Sequence, residues 1–167
     1  MPAVANLYRP EWDAEQDRPP FRWRRARLGR QAGAERLGAS LFEVPPGGAT
    51  FPLHAHHGNE ELVVVLSGRL TLRNTETERE LEAGEVVAFP AGRRGAHRLD
   101  NHTEEPVRVL IVSTMIAPEV VEYPDSGKVR ASSYPPGGVP PENAIELIGR
   151  QEEAIDYFAG ETDEDRK

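Results

Sequence analysis

The sequence predicts an all-β fold, in which a single barrel follows an N-terminal arm and precedes a C-terminal loop and a short helix. Short apolar segments recur at close, regular spacing, and turn-forming residues separate them. Fifteen glycines and fifteen prolines among 167 residues imply many turns. The length suits one domain of ordinary size. We therefore divide the chain into an arm (residues 1–30), a barrel (31–116) and a C-terminal extension (117–167).

The composition excludes several classes of function. The formal net charge is −8, so attraction of the whole protein to nucleic acid or to an anionic membrane is not expected. We find no signal peptide and no apolar run long enough to span a bilayer. The chain has no cysteine, which removes disulfides, thiol nucleophiles and cysteine-bound zinc. This suits a reducing compartment, and we expect a cytoplasmic protein whose partner is a small molecule.

Two features mark the arm. Trp12 stands among charged residues, and because tryptophan buries a large area we expect it to pack on the barrel or on a partner subunit. Residues 21–30 contain five arginines and two aromatic residues. Such a stretch can be a nucleic-acid or phosphate patch, but the acidic balance of the chain favours an edge strand. In that strand Phe21 and Trp23 face inward, and the alternate arginines face solvent.

Strands are predicted in the barrel where apolar alternation is bounded by turn residues: 40–44, the segment that carries His54 and His56, 61–66, 69–73, 81–89 and 107–113. Segment 61–66 is apolar on both faces, so it needs two covers. One cover is the barrel interior, and the other is the arm or a second subunit. We therefore predict a homodimer.

The C-terminal extension is predicted to be irregular at first and helical later. Residues 117–141 lose all periodicity and are expected to form an ordered loop or a linker. Residues 142–159 are predicted to be a helix, because isoleucines at 145, 148 and 155 recur near helical spacing, with Pro141 before the segment and Gly160 after it. Residues 161–167 are expected to be a frayed, charged tail.

Histidines and one carboxylate are arranged in the barrel as metal ligands would be. His54 and His56 are two residues apart, so in a strand they share a face. Glu61 begins the next apolar run in register with two inward valines, whereas Glu60 is one step out of register. A later stretch delivers His97. Imidazoles with one carboxylate are ligands for a divalent transition metal.

The distribution of histidine supports this interpretation. All five histidines lie in the two stretches, at positions 54, 56, 57, 97 and 102. Scattered surface or core histidines would not cluster in this way. His57 and His102 each neighbour a motif residue and are expected to face the other way, at the rim of the site.

The two stretches resemble the paired motifs of the cupin superfamily. The first motif is matched at every spacing by Gly48, His54, His56, Glu61 and Gly68. The second is matched by Gly84, Pro90, Gly92, His97 and Asn101, except that four residues rather than two separate Gly92 from His97. The resemblance implies a jelly-roll barrel of six to eight strands with one metal ion near its centre. It also implies that the metal ligands are His54, His56, Glu61 and His97.

Such a site would favour an anionic, chelating ligand. Three neutral imidazoles and one carboxylate leave a divalent ion with one net positive charge and with open coordination positions. Mixed nitrogen and oxygen ligation suits Mn, Fe, Co, Ni, Cu or Zn, and the sequence does not choose among them. Arg93 and Arg94 lie just before His97 and could pair with the anion, or they could be solvated loop residues. Tyr123 and Lys128 could reach the substrate from a loop over the barrel mouth, or that loop could be a structural turn.

We expect an enzyme that acts on a small oxygenated molecule, of the dioxygenase or other oxidoreductase type or of the sugar isomerase or epimerase type. The fold by itself does not decide between these chemistries. The alternative is a non-catalytic ligand-binding or sensor module that holds a metal. A general acid or base at the barrel mouth would separate the two, and the sequence identifies none.

Overall fold

The computed structural model describes residues 1–161, and the end of the predicted charged tail, 162–167, lies outside them. The strands are β1 (Ala14–Arg18), β2 (Phe21–Ala26), β3 (Leu37–Val44), β4 (Ala55–His56), β5 (Glu61–Ser67), β6 (Arg69–Arg73), β7 (Glu78–Glu82), β8 (Val86–Phe89), β9 (Arg98–Asp100), β10 (Val107–Thr114), β11 (Glu119–Tyr123), β12 (Lys128–Ser132) and β13 (Glu146–Arg150). The one α-helix among the described residues, α1, spans Leu28–Gln31, and 3-10 turns span Arg93–Gly95 and Gln151–Glu153.

The predicted all-β barrel is confirmed. A six-stranded sheet has the order β1-β2-β3-β10-β5-β8, a four-stranded sheet the order β13-β12-β11-β4, and a three-stranded sheet the order β7-β6-β9. Antiparallel pairing joins the neighbours in each sheet. The described part of the chain has no helix long and apolar enough to cross a membrane.

Buried and partly exposed side chains alternate along the central strands, and the buried ones form the core. On β10 the odd-numbered residues 107–113 are buried, and the even-numbered residues between them are partly exposed. On β5, Val63 and Val65 are buried in the same way. The core cluster consists of Phe42, Val44, Val63, Val65, Leu70, Leu72, Leu81, Phe89, Leu99, Val107, Val109 and Ile111. Because strand side chains alternate, one face of each central strand fills the barrel interior.

The arm is more regular than predicted. Its residues 14–18 are not irregular but form β1, which pairs with β2, and β2 pairs with β3 at the edge of the six-stranded sheet. Trp12 packs on a second apolar cluster that includes Leu66 of β5 and Leu110 of β10. Part of the outer face of β5 is therefore covered by the arm of the same chain.

The C-terminal extension differs most from the prediction. The segment expected to form an ordered loop or a linker contains β11 and β12, which form a hairpin. The predicted helix over 142–159 is wrong: residues 146–150 are β13, paired with β12, and a 3-10 turn follows. Ile145 and Ile148 are 63% and 61% exposed, so their spacing does not mark a buried helical face. Hydrogen bonding to the edge of β12 and the Arg130–Glu146 ion pair (2.7 Å) favour the strand over a weakly patterned helix.

Candidate metal centre

The two motif stretches meet at His54 and His97. These residues form an isolated antiparallel bridge, in which the backbone N–H of His97 donates to the oxygen of His54 (2.9 Å) and the reverse bond is 3.2 Å long. Side chains of directly opposed residues lie side by side on one face. The two imidazole ring centroids are accordingly 4.6 Å apart. Residues 43 positions apart in sequence thus enter the barrel as neighbours.

His56 on β4 and Glu61 at the start of β5 complete the group. Ligand atoms of His54, His56 and Glu61 all lie within 4.8 Å of one another, so this group could hold a metal ion. Glu61 Oε2 is 3.5 Å from Nε2 of His56 and 3.2 Å from Nε2 of His97. Glu60, by contrast, is exposed. The structure therefore brings together all four candidate metal ligands identified from the sequence. Glu61 faces inward, as its strand register predicts.

Hydrogen bonds at Nδ1 orient the rings of His54 and His97, whereas Nδ1 of His56 is buried without a hydrogen bond among the described residues. Nδ1 of His54 is 2.9 Å from the carbonyl oxygen of Pro52, and Nδ1 of His97 is 2.9 Å from that of Gly95. A carbonyl only accepts, so each Nδ1 carries a proton, and in the neutral His54 ring Nε2 keeps a free lone pair. Metal-binding histidines are characteristically held in this way. The donor set therefore fits a divalent ion.

Burial and neighbouring charges set the protonation states of His54 and Glu61. Burial, together with the neighbouring His97 and His56, lowers the pKa of His54 to about 3 and keeps it neutral. Burial alone would raise the pKa of Glu61, but the hydrogen bond with His97 and the nearby imidazoles lower it to about 2. Near neutral pH the centre thus has a neutral imidazole and an ionised carboxylate, which are the forms that bind metal.

The loop before His97 explains the longer spacing of the second motif. The additional residues form the 3-10 turn Arg93–Gly95, which is entered from Gly92 at φ 90°. Gly92 also donates its N–H to the oxygen of His56 (2.7 Å), which ties the loop to β4. A Cβ atom on Gly95 would lie 2.0 Å from the oxygen of Pro90, so the turn requires glycine there. The longer spacing therefore changes only this turn, and His97 still pairs with His54.

Asn101, the last residue of the second motif, is structural. Its buried side chain donates from Nδ2 to the carbonyl oxygens of Val44 (2.9 Å) and Glu105 (2.8 Å). Its backbone N–H donates to the oxygen of Gly48 (2.8 Å). The asparagine therefore fixes the end of β3 and the first-motif glycine beside the strand that carries His97.

The four histidine and glutamate side chains line a cavity of about 340 Å³ at the barrel mouth. Apolar side chains, among them Phe51 and Ile111, form part of its wall. Phe51 packs edge-on against His54, with ring centroids 5.9 Å apart. The volume and the mixture of apolar and polar walls suit a small organic ligand.

Tyr123 reaches this cavity, but Lys128 does not. The ring of Tyr123 is half-buried and stacks beside His54, with centroids 6.4 Å apart. Burial raises the pKa of the Tyr123 hydroxyl. Lys128 lies at the far side of that ring, with Nζ 5.2 Å from its centroid, and lines a separate surface groove. The segment between them is the turn of the β11–β12 hairpin.

Arg93 and Arg94 lie outside the cavity. Arg93 is paired with Glu122 on the outer surface (2.7 Å), and its side chain is 74% exposed. Arg94 is exposed and does not line the cavity. The loop that delivers His97 turns both arginines away from the cavity, because the 3-10 turn directs its side chains outward.

Sequence reasoning missed the cations that do line the cavity. Arg25 reaches it from β2, Arg27 from the connection after β2, Arg30 from α1 and Arg130 from β12. The arginine-rich stretch 21–30 was interpreted as a solvated edge. Arg25 has the same strand parity as the inward Phe21 and Trp23, and that parity was the available signal. Arg130 carried no signal, because β12 was not predicted.

The fold and the site together define a class: a jelly-roll barrel that can hold one metal ion at the floor of a ligand cavity. Residues 40–113 match the sequence profile of the cupin domain family. This stretch, which includes both motifs, is therefore a cupin domain. The prediction made from the paired motifs is confirmed.

Solved structures share the barrel well beyond the matched segment. A sugar phosphate isomerase from Silicibacter pomeroyi aligns with a TM-score of 0.74 at 24% identity, covering 90% of this chain and 94% of that one. A candidate sugar phosphate isomerase from Acidithiobacillus ferrooxidans gives 0.73 at 24% identity and covers 88% of each chain. A polyketide cyclase from Streptomyces resistomycificus gives 0.57 at 23% identity, covering 68% and 80%. No curated protein sequence matches the chain. At these identities the likeness establishes the fold alone.

Proposed function

We propose that this protein is a metal-dependent cupin enzyme that acts on a small, oxygenated and anionic molecule. The observation that carries the proposal is the shared cavity, which the candidate ligands His54, His56, Glu61 and His97 line together with Tyr123 and a cationic wall. A bound divalent ion would supply Lewis-acid polarisation of a substrate oxygen. Its identity among Mn, Fe, Co, Ni, Cu and Zn stays open, since the ligand types suit all six.

Tyr123 favours the isomerase or epimerase type over the oxidoreductase type. Such reactions remove a proton from a carbon next to a carbonyl and return one to carbon, so they need a base and also a group that donates a hydrogen bond or proton to the enediolate oxygen in between. A phenol is protonated at neutral pH, and burial raises the pKa of Tyr123 further. The phenol lies beside His54, within the same cavity. Tyr123 is therefore our candidate for the hydrogen-bond or proton donor. The two structural neighbours described as sugar phosphate isomerases agree with this type of reaction.

Solvent isotope exchange tests the proposal. Metal-loaded protein would be incubated in D2O with aldose and ketose phosphates, sugar acids and hydroxy acids, under air and under nitrogen, and followed by proton NMR. We expect deuterium at a carbon next to a carbonyl, equally in both atmospheres, and slower exchange by at least tenfold in Tyr123→Phe at unchanged metal content. Turnover under air alone, with oxygen uptake, would instead identify a dioxygenase.

A non-catalytic binding or sensor module is the second candidate. The half-enclosed, partly apolar cavity would suit it equally well. In that case the same panel would contain a compound that binds tightly and is recovered unchanged under both atmospheres. This outcome would contradict the enzyme proposal while leaving the ligand cavity in place.

We also propose that the protein is a homodimer in the cytoplasm. The original reason, the two-sided apolar character of β5, is weakened because the arm covers part of it. A stronger reason is β13, an edge strand whose Leu147 and Ile148 lie on opposite faces and are 66% and 61% exposed. Exposed apolar edge strands are characteristically covered by a partner. The absence of cysteine agrees with a reducing compartment.

A further inference from the structure

One corner of the cavity contains a cation that the proposed chemistry has not used. Arg25 follows Trp23 on the inward face of β2, and its guanidinium carbon lies 5.6 Å from the centroid of the Trp23 ring. Trp23 in turn packs on Phe42 and Phe51, with centroids 5.4 and 5.6 Å away. The Arg25 side chain is only 17% exposed, and it lines the same cavity as His54. A guanidinium is therefore held against an aromatic wall inside the ligand cavity.

This guanidinium lacks an adequate partner within the described residues. Its Nε is buried and has no hydrogen bond there. The nearest acidic group paired with it is Asp13, 3.7 Å from Nε, beyond hydrogen-bond distance. Asp13 is already engaged, because its two oxygens accept from Nε (3.0 Å) and from the backbone N–H (2.7 Å) of Arg27. One carboxylate thus serves two guanidinium groups.

The other cations of the cavity are better compensated or more exposed. Arg130 donates from Nε to Glu146 (2.7 Å) and from Nη2 to the hydroxyl of Tyr134 (2.9 Å). Arg30 is exposed to solvent. Burial and the nearby Arg27 lower the pKa of Arg25, and Asp13 offsets only part of this effect. A buried cation without a hydrogen-bonded partner is costly and gains most from an oxyanion that enters the cavity.

We propose that Arg25, assisted by Arg27, binds the phosphate group of the substrate at the end remote from the metal centre. A guanidinium fork matches two phosphate oxygens, which leaves a third oxygen for Arg27, whereas a carboxylate has only two oxygens in all. Phe51 lies between this corner and the metal centre, since its ring contacts both Trp23 and His54. The phosphate subsite is therefore separate from the metal, and the substrate is a phosphorylated molecule long enough to extend past one aromatic ring.

This inference rests on the proposed function for its choice of cavity, but its test does not need the metal or turnover. Protein freed of metal with a chelator would be titrated calorimetrically with inorganic phosphate and, separately, with acetate. We expect measurable phosphate binding, at least tenfold weaker acetate binding, and about tenfold weaker phosphate binding in Arg25→Gln. Arg24→Gln is the matched control, because Arg24 directly precedes Arg25 on β2 and faces solvent. It should bind phosphate within about twofold of wild type.

Arg25→Lys keeps the charge but loses the fork, so it should bind phosphate with intermediate affinity. It also provides the comparison if Arg25→Gln does not fold, as judged by circular dichroism. Equal phosphate affinity in wild type and in a folded Arg25 variant would overturn the subsite. A loss of phosphate affinity in Arg24→Gln as large as that in Arg25→Gln would also overturn it. Acetate binding as tight as phosphate binding would overturn the assignment to phosphate. Failure of metal loading, by contrast, would contradict the proposed function and leave this result unaffected.

Discussion

Glu119 Oε2 lies 3.5 Å from Nδ1 of His56, and the Glu119 side chain is completely buried. The same carboxylate accepts hydrogen bonds from the backbone N–H of His57 (3.2 Å), from that of Gly58 (3.1 Å) and from the side chain of Asn59. Burial alone would raise the pKa of Glu119, but its partners, His56 and Asn59 foremost, lower it. Glu119 is thus an ionised group behind a metal-ligand candidate, on a strand that was not predicted.

We expect Glu119→Gln to weaken metal binding by roughly 10- to 100-fold, because the group that orients and polarises His56 is lost. The amide keeps the size of the side chain and an oxygen for the backbone donors. Competition with a fluorescent chelator would measure the affinity. Glu122→Gln is the control, since Glu122 pairs with Arg93 and His57 outside the cavity. Wild-type affinity in a folded Glu119→Gln protein would show that the contact does not orient the ligand.

His97→Ala should strongly reduce the metal content of the purified protein, since it removes an imidazole that lies 3.2 Å from Glu61. Elemental analysis after expression without added metal would give both the content and the identity of the ion. His102→Ala is the matched control, because His102 is exposed and lies outside the cavity. Wild-type metal content in His97→Ala would remove His97 from the ligand set.

Metal affinity should fall with decreasing pH because of His56. Burial opposes protonation of His56, yet the nearby carboxylates of Glu119 and Glu61, each 3.5 Å from a ring nitrogen, raise its pKa above the ordinary value. Below that pKa the metal must displace a proton, so affinity falls by up to about tenfold per pH unit. His54 and Glu61, with pKa values of about 3 and about 2, add no dependence above about pH 5.

Calorimetric metal titrations from about pH 8 to about pH 5 would measure this dependence. In Glu119→Gln the drop should begin at lower pH, because the partner that raises the His56 pKa is gone. A flat profile in the wild type, or an unchanged midpoint in Glu119→Gln, would contradict the role given to this pair.

The wild-type protein should behave in solution as a dimer, with twice the 18.5 kDa mass of one chain. Leu147→Lys should shift it toward the monomer, because a charge would replace an apolar side chain on the exposed face of β13. Static light scattering after size-exclusion chromatography measures the mass directly. Ile116→Lys is the control, since Ile116 is 51% exposed and lies outside the strands. A monomeric wild-type protein would rule out the dimer.

The sequence by itself determined the barrel and the metal-centre candidates. Local patterns sufficed there: alternation over the central strands, glycine and proline between them, and histidines at fixed spacing. Even the choice of Glu61 over Glu60 followed from strand register alone, because successive side chains in a strand point to opposite faces. The structure places His54, His56, Glu61 and His97 together accordingly.

Tertiary structure decided the surroundings of that centre. β13 is a strand because the edge of β12 offers hydrogen bonds, which a local pattern does not encode. Glu119 and Arg130 enter the site only because the C-terminal hairpin folds back on β4. Arg25 lines the cavity because β2 pairs with β3, and this pairing is a tertiary contact. Such long-range pairings depend on which edges and faces remain uncovered elsewhere in the fold, and so the metal centre could be predicted from short motifs while the substrate-facing wall could not.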